Sequence, residues 1–259
     1  MYDSIFALAA TLFGVIIGSF LNALSFRFNT GKSIVHGRSA CMRCGHTLTA
    51  LDLIPVFSYA MLRGRCRYCH THISSQYPLV EVLGGALSLG VYLNTYTPLM
   101  FALWFFVWTL ILFICIYDLK HTVIPMSCSL LLMVLSLCVV VFSGPTVIAF
   151  LAGPALAAPL LLISLLSEGT WMGWGDGLFE LSLGWLLGIV SGIGALMLAV
   201  WSGALIGLGL IVFAQYVKPK GSRGFTMKSE LPFAPFLALG AAAVYFLHVD
   251  LFSTLHVIW

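Results

Sequence analysis

The chain has 259 residues, of which 61% are hydrophobic and 8% charged, with a formal net charge of +3, and its mean hydropathy is +1.05. Soluble domains carry roughly 25% charged residues, so a soluble globular domain, a disordered chain and a nucleic-acid-binding module are all excluded. What remains is an all-α polytopic membrane protein, because the apolar runs are continuous and do not alternate as barrel strands do.

A membrane-crossing helix takes about 20 mostly apolar residues. In chain order the segments that qualify are 4–28, 79–95, 99–117, 124–143, 146–166, 178–192, 195–217 and 233–257, which predicts about eight spans. The sixth is short and glycine-rich. The first has no basic residue before its apolar stretch and Arg27 after it, the wrong order for a cleaved signal, so it is expected to be a retained helix that starts outside. With eight spans, all twelve basic residues fall on one side. Arg27, Lys32, Arg38, Arg43, Arg63, Arg65 and Arg67 lie between the first two spans, Lys120 follows the third, and Lys218, Lys220, Arg223 and Lys228 precede the last. The positive-inside rule makes that side cytoplasmic and both termini external. The domain plan is a first helix over 1–28, a cytoplasmic loop over 29–78, and the remaining helices over 79–259.

The loop 29–78 is the one polar stretch large enough to fold by itself, and it holds four of the seven cysteines. Cys41-Met-Arg-Cys44 and Cys66-Arg-Tyr-Cys69 are two C-x-x-C knuckles whose spacing fits a tetrahedral structural zinc site. About fifty residues have too little core to fold unaided, and metal ligation supplies folding energy. Two disulfides or a redox pair are the competing readings; the reducing cytoplasm disfavours stable disulfides. His46, His70 and His72 lie close by, as surface residues or as a substitute ligand. Cys115, Cys128 and Cys138 fall in apolar helices, where small core residues belong.

Nine acidic residues can be taken one by one. Asp3 and Asp250 lie near the external face, Asp52 in the four-cysteine loop and Glu230 in the last basic loop. Glu81, Asp118, Glu168, Asp176 and Glu180 lie near cytoplasmic helix ends. Asp118 sits in Tyr117-Asp-Leu-Lys-His-Thr-Val-Ile-Pro125, at the end of the third span. Asp176 sits in Gly173-Trp-Gly175-Asp176-Gly177, the turn before the sixth. Both aspartates reach one membrane face, and ionisable residues at membrane depth are costly enough to imply function. Two carboxyls about 3 Å apart share a proton. One then activates a water while the other, protonated, hydrogen-bonds a scissile carbonyl. The bland alternative is that Asp176 caps a helix and Asp118 marks the end of one.

Several further motifs occur in one order. They are Gly18-Ser-Phe-Leu-Asn22 with Arg27, Arg38-Ser-Ala-Cys41-Met-Arg-Cys44-Gly-His46, and Asp52-Leu-Ile-Pro55-Val-Phe-Ser58 with Leu62-Arg-Gly64-Arg-Cys66-Arg-Tyr-Cys69. Ile73-Ser-Ser-Gln-Tyr77-Pro-Leu-Val-Glu81 and Pro232-Phe-Ala-Pro-Phe236-Leu-Ala-Leu-Gly240 follow. Together they resemble the bacterial type IV prepilin peptidases, the GxGD-type membrane aspartyl peptidases of the prepilin leader peptidase/N-methyltransferase family. The resemblance covers most of the chain. It implies that Asp118 and Asp176 are the catalytic pair, supported by the turn glycines Gly173 and Gly175. It implies that the substrates are prepilins or pseudopilins, cut after a glycine that follows a short basic leader at the cytoplasmic face of the inner membrane. It also implies methylation of the new N-terminus from S-adenosylmethionine, without pointing to a donor site; the pair Gly84-Gly85 is equally explained by tight helix packing. By charge alone, Glu81, Glu168 and Glu180 are candidates for holding the basic leader, and helix packing or capping is an equal reading for each.

Leu178 stands where the family commonly has lysine, Met126 where Asp or Asn is frequent, and Ala234 where glycine is usual, while Gly184 and Gly188 fit the pattern. These departures bear on substrate preference and methylation more than on cleavage. Kept beside the peptidase reading are a peptidase without methyltransferase activity and, from a different class, a transporter or zinc-regulated membrane binding protein. Presenilin-like and preflagellin-type peptidases share the two-aspartate logic but lack paired knuckles.

Overall fold

The computed structural model describes residues 3–31, 33, 37–216, 231–249 and 251. The expectations placed on Lys32, Lys218, Lys220, Arg223, Lys228, Glu230 and Asp250 lie outside the described residues. The elements are α1 (Ser4–Arg27), α2 (Phe57–Met61), α3 (Gln76–Asn94), α4 (Pro98–His121), α5 (Met126–Ser143), α6 (Val147–Leu166), α7 (Trp174–Leu187), α8 (Ile189–Tyr216) and α9 (Ala234–Leu247). Among the described residues extended pairing is confined to two isolated bridges, Ala40 with Thr47 and Arg65 with His72. Each of the eight apolar segments overlaps a helix, although 178–192 runs across the Gly188 break between α7 and α8. Five of the helices, α1, α4, α5, α6 and α8, are long and apolar enough to cross a membrane by length and composition. The protein is an all-α polytopic membrane protein.

The chain divides into two compact units, Met1–Thr109 and Leu110–Trp259. In the first unit α1 and α3 pack backbone to backbone. A Cβ at Gly14 would meet the Gly84 carbonyl, and one at Gly18 would lie 2.7 Å from the Val80 oxygen. In lipid, helices gain from such close approach through van der Waals contact and hydrogen bonds. Ser88 supplies one of those bonds, donating to the Ala10 carbonyl at 2.7 Å. Gly84 and Gly85 are thus packing glycines. At the other end of the pair, buried Asn22 donates to the Tyr77 carbonyl at 3.1 Å and accepts from the Gln76 amide at 3.3 Å. Phe26 stacks on Tyr77 with ring centroids 5.7 Å apart. These contacts bring the two ends of the intervening loop together.

In the second unit α7 packs against α5, α6, α8 and α9. Its contact with α6 is antiparallel: Gly184 lies against the Ala152 carbonyl and Gly153 against that of Leu181. Gly240 presses α9 onto the Ala195 carbonyl of α8. The expected sixth span, 178–192, is displaced. Helix α7 begins earlier because Gly173 takes an extended N-cap conformation, and it ends at Gly188, whose φ of 78° stops the helix before α8. Asp176 accordingly lies in the first turn of α7 and not in a turn before it.

Candidate functional site

Helix α4 runs past the expected end of the third span, so Asp118 is still helical, with only 4% of its surface exposed. Its Oδ2 accepts a hydrogen bond from the Ala234 backbone amide at 3.2 Å. Ala234 is the first residue of α9, where N–H groups have no intrahelical partner and the helix dipole favours an acceptor. One turn before Asp118, the Cys115 thiol donates to the Ala234 carbonyl at 3.8 Å. The Pro232–Gly240 motif therefore has a concrete role that motif matching alone did not reveal. It starts a helix whose first amide holds the first aspartate. The available signal was proline flanking Ala234 on both sides, which leaves few N–H groups at that end. Beyond Asp118 the chain turns at once: the Thr122 amide donates to the Asp118 carbonyl at 2.7 Å, and Thr122 takes a φ of 51°.

Asp176 is half-buried, and its amide donates to the Gly173 carbonyl at 3.2 Å. A Cβ at Gly175 would lie 2.8 Å from Cβ of Ile124, so this glycine lets the Asp176 turn press against the α4–α5 connection that follows Asp118. Gly177 is likewise filled by Leu161. The segments that carry the two aspartates are thereby brought together within the second unit.

The three glutamates have three different settings. Glu81 is buried, and its Oε2 accepts from the Val56 amide at 2.7 Å, which ties α3 to the start of α2. Glu168 is exposed in the turn after α6. Glu180 lies one helical turn beyond Asp176 and is 1% exposed.

In the first unit, Cys41, Cys44, Cys66 and Cys69 form a cluster whose sulfurs all lie within 4.8 Å of one another, and it could hold a metal ion. The two knuckles repeat one backbone pattern. The Cys41 amide donates to the His46 carbonyl at 2.9 Å and the Cys66 amide to that of Thr71 at 2.8 Å. Gly45 and His70 turn the chain at φ 71° and 53°. Sulfurs on a tetrahedral ion at about 2.3 Å stand about 3.8 Å apart, and Cys41 and Cys69 are separated by 3.8 Å. Backbone amides of Cys44 and Arg43 pull the Cys41 thiol down to about 6. The Thr71 amide lowers Cys69 too, but burial and the neighbouring sulfurs outweigh it and push that thiol up to about 11. Thiols must lose their protons to bind a metal ion, so a cation held by this cluster would release protons. The histidines are not part of the cluster; His46 instead stacks on Tyr68 with centroids 3.6 Å apart. Asp52 braces the loop. Burial alone would raise its carboxyl, yet hydrogen bonds from Thr49 and Arg67 hold it at about 2, the latter at 2.7 Å.

Residues 12–95 match the family described as Bacterial Peptidase A24 N-terminal domain. The chain is 33% identical to the prepilin leader peptidase/N-methyltransferase of Burkholderia pseudomallei (strain 1026b), over 92% of this chain and 84% of that protein. The chain belongs to the prepilin leader peptidase/N-methyltransferase family. Family members of the same description from Dichelobacter nodosus and Bacillus subtilis (strain 168) are 30% and 28% identical, over 88% and 90% of this chain and 87% and 91% of theirs. No solved structure matches the chain.

Proposed function

We propose that the protein is a membrane aspartyl endopeptidase that removes the short basic leader of type IV prepilins or pseudopilins after a glycine, and then methylates the new N-terminus from S-adenosylmethionine. Family membership supports both activities. The observation that carries the site is the meeting of two distant motifs: the Ala234 amide on Asp118 and the Gly175 turn against Ile124. Asp118 and Asp176 are the catalytic pair. One carboxylate takes a proton from a water as it attacks the scissile carbonyl. The other, protonated, gives a hydrogen bond to the developing oxyanion. Collapse of the tetrahedral intermediate expels the amine of the mature pilin, which receives the proton. Holding Asp118 by a helix-terminal amide limits the orientations of its carboxylate, and such positioning of a reacting group lowers barriers.

Zinc is the metal that suits the four-thiolate cluster, in a structural role. The eight spans, the external termini and the cytoplasmic active site follow from the distribution of Lys and Arg. Among the glutamates, Glu168 is the candidate for the basic leader, being exposed and close in sequence to the Asp176 turn; Glu81 is engaged by Val56 and Glu180 is enclosed. Incubating the detergent-solubilised protein with a prepilin tests the dyad. Asp118→Asn and Asp176→Asn are each expected to lower cleavage by a factor on the order of 10³ or more with thermal stability retained. Unchanged cleavage by either folded variant rejects the pair. Mass spectrometry of the mature N-terminus, with and without S-adenosylmethionine, tests methylation, and metal analysis of the purified protein tests for one zinc per chain.

A further inference from the structure

The four-cysteine loop exposes an unusual combination of groups. Residues 29–78 carry six basic residues and a single acid, Asp52. Asp52 is already engaged by Arg67, Thr49 and Tyr68. Arg38, Arg43, Arg63 and Arg65 are exposed and have no acidic partner among the described residues. A four-thiolate zinc cluster contributes two negative charges and still leaves the loop positive. Beside these arginines stand apolar side chains in the open: on α2, Phe57 and Met61 are 58% and 68% exposed. Their i, i+4 spacing sets them on one face, and Leu51 and Ile54 are exposed just before them.

The placement of α2 gives this surface a meaning. Val56, the residue before α2, donates its amide to Glu81. Glu81 is the sixth residue of α3, about 8 Å along the helix axis at 1.5 Å per residue. Helix α2 is therefore held beside the first turns of α3, which packs along the membrane-length helix α1. The Val56 backbone adopts φ 62° to make this contact, a conformation that a β-branched residue takes only when its surroundings impose it. Directly after α2 the chain turns through Arg63 and Gly64, at φ 50° and 67°, so that Arg63 and Arg65 follow Met61 within four residues.

We propose that α2 and the Arg63–Arg65 turn are an interfacial foot that seats the four-cysteine loop on anionic phospholipid. Phe57 and Met61 enter the headgroup–acyl boundary, and the arginines bind lipid phosphates. This is the arrangement by which short amphipathic segments lie in a membrane surface, and basic residues there favour anionic leaflets. Charge argues against the basic leader of a substrate as the occupant, since this surface would repel it. The inference stands on the first unit and on membrane insertion, and it is independent of the aspartate pair.

The test uses the full chain with Met61→p-benzoylphenylalanine, reconstituted in bilayer discs of equal phosphatidylcholine and phosphatidylglycerol. Photolysis is expected to give phospholipid adducts in which phosphatidylglycerol exceeds phosphatidylcholine by about fivefold. Adding Arg63→Ser and Arg65→Ser should bring that ratio close to one while zinc content is unchanged. Absence of phospholipid adducts, equal yields of the two lipids in the parent, an unchanged ratio in the double arginine variant, or cross-links chiefly to a second copy of the chain would each overturn the proposal.

Discussion

At the scale of single residues, two close contacts control the site. Gly175 has no room for a side chain, because a Cβ would lie 2.8 Å from that of Ile124. Gly175→Ala is expected to push the Asp176 turn away from the Asp118 connection. A displacement of about 1 Å near reacting groups lowers rates by about 100-fold, so cleavage should fall on that order while zinc content is unchanged, as kinetics and metal analysis would show. Glu81→Ala leaves the Val56 amide without its buried acceptor, at a cost of about 1–3 kcal/mol. Hydrogen exchange should then quicken at Val56 and through α2, with the cysteine cluster intact. The four-cysteine cluster was legible because its spacing is local and chemically specific, whereas Asp118 was singled out only by its place at a helix end and by the resemblance. The settings of Glu81 and Glu180 were not legible. Both lie on helices that are apolar on nearly every side, so no polar stripe tells which face turns inward, and charge alone suggested an exposed role. Nor could the sequence announce that Val56, a β-branched residue, takes a positive φ, at the centre of a tight turn in which the Phe57 amide donates to the Pro55 carbonyl.

At the scale of elements, helix ends follow from backbone chemistry more than from hydropathy. The apolar runs overlap helices, but the sixth straddles the Gly188 break, and Asp176 moved into the first turn of α7 because a glycine N-cap allows an earlier start. Hydropathy marks the middle of a span and is blind to such ends. The α8–α9 contact has a further effect on the site, because α9 carries the amide that holds Asp118. Gly240 meets the Ala195 carbonyl, so Gly240→Ala must part the two helices. Overpacking of this kind costs about 1–3 kcal/mol. The expected outcome is a lower thermal midpoint together with reduced cleavage, since the start of α9 shifts with its body. A variant with the lower midpoint and full activity would show that the Ala234 amide is dispensable.

At the scale of the whole molecule, the soluble and membrane-embedded parts draw their stability from different sources. The helices gain from packing in lipid, whereas the four-cysteine loop is mostly exposed, and a metal ion on its thiolates would supply folding energy there. Chelation should therefore unfold residues 38–73 selectively. Hydrogen exchange is expected to become rapid there while Gly84–Val91 in α3 remains protected; loss of protection in both would contradict the separation. The latch at Asn22 extends this argument. Because Asn22 binds the first turn of α3 directly, the loop leaves the helix pair and returns to it through neighbouring points. A short glycine–serine linker could bridge those points in place of the whole excursion without parting the helices. In genetic terms the loop would behave as a cassette, removable in a single deletion while the α1–α3 contact persists.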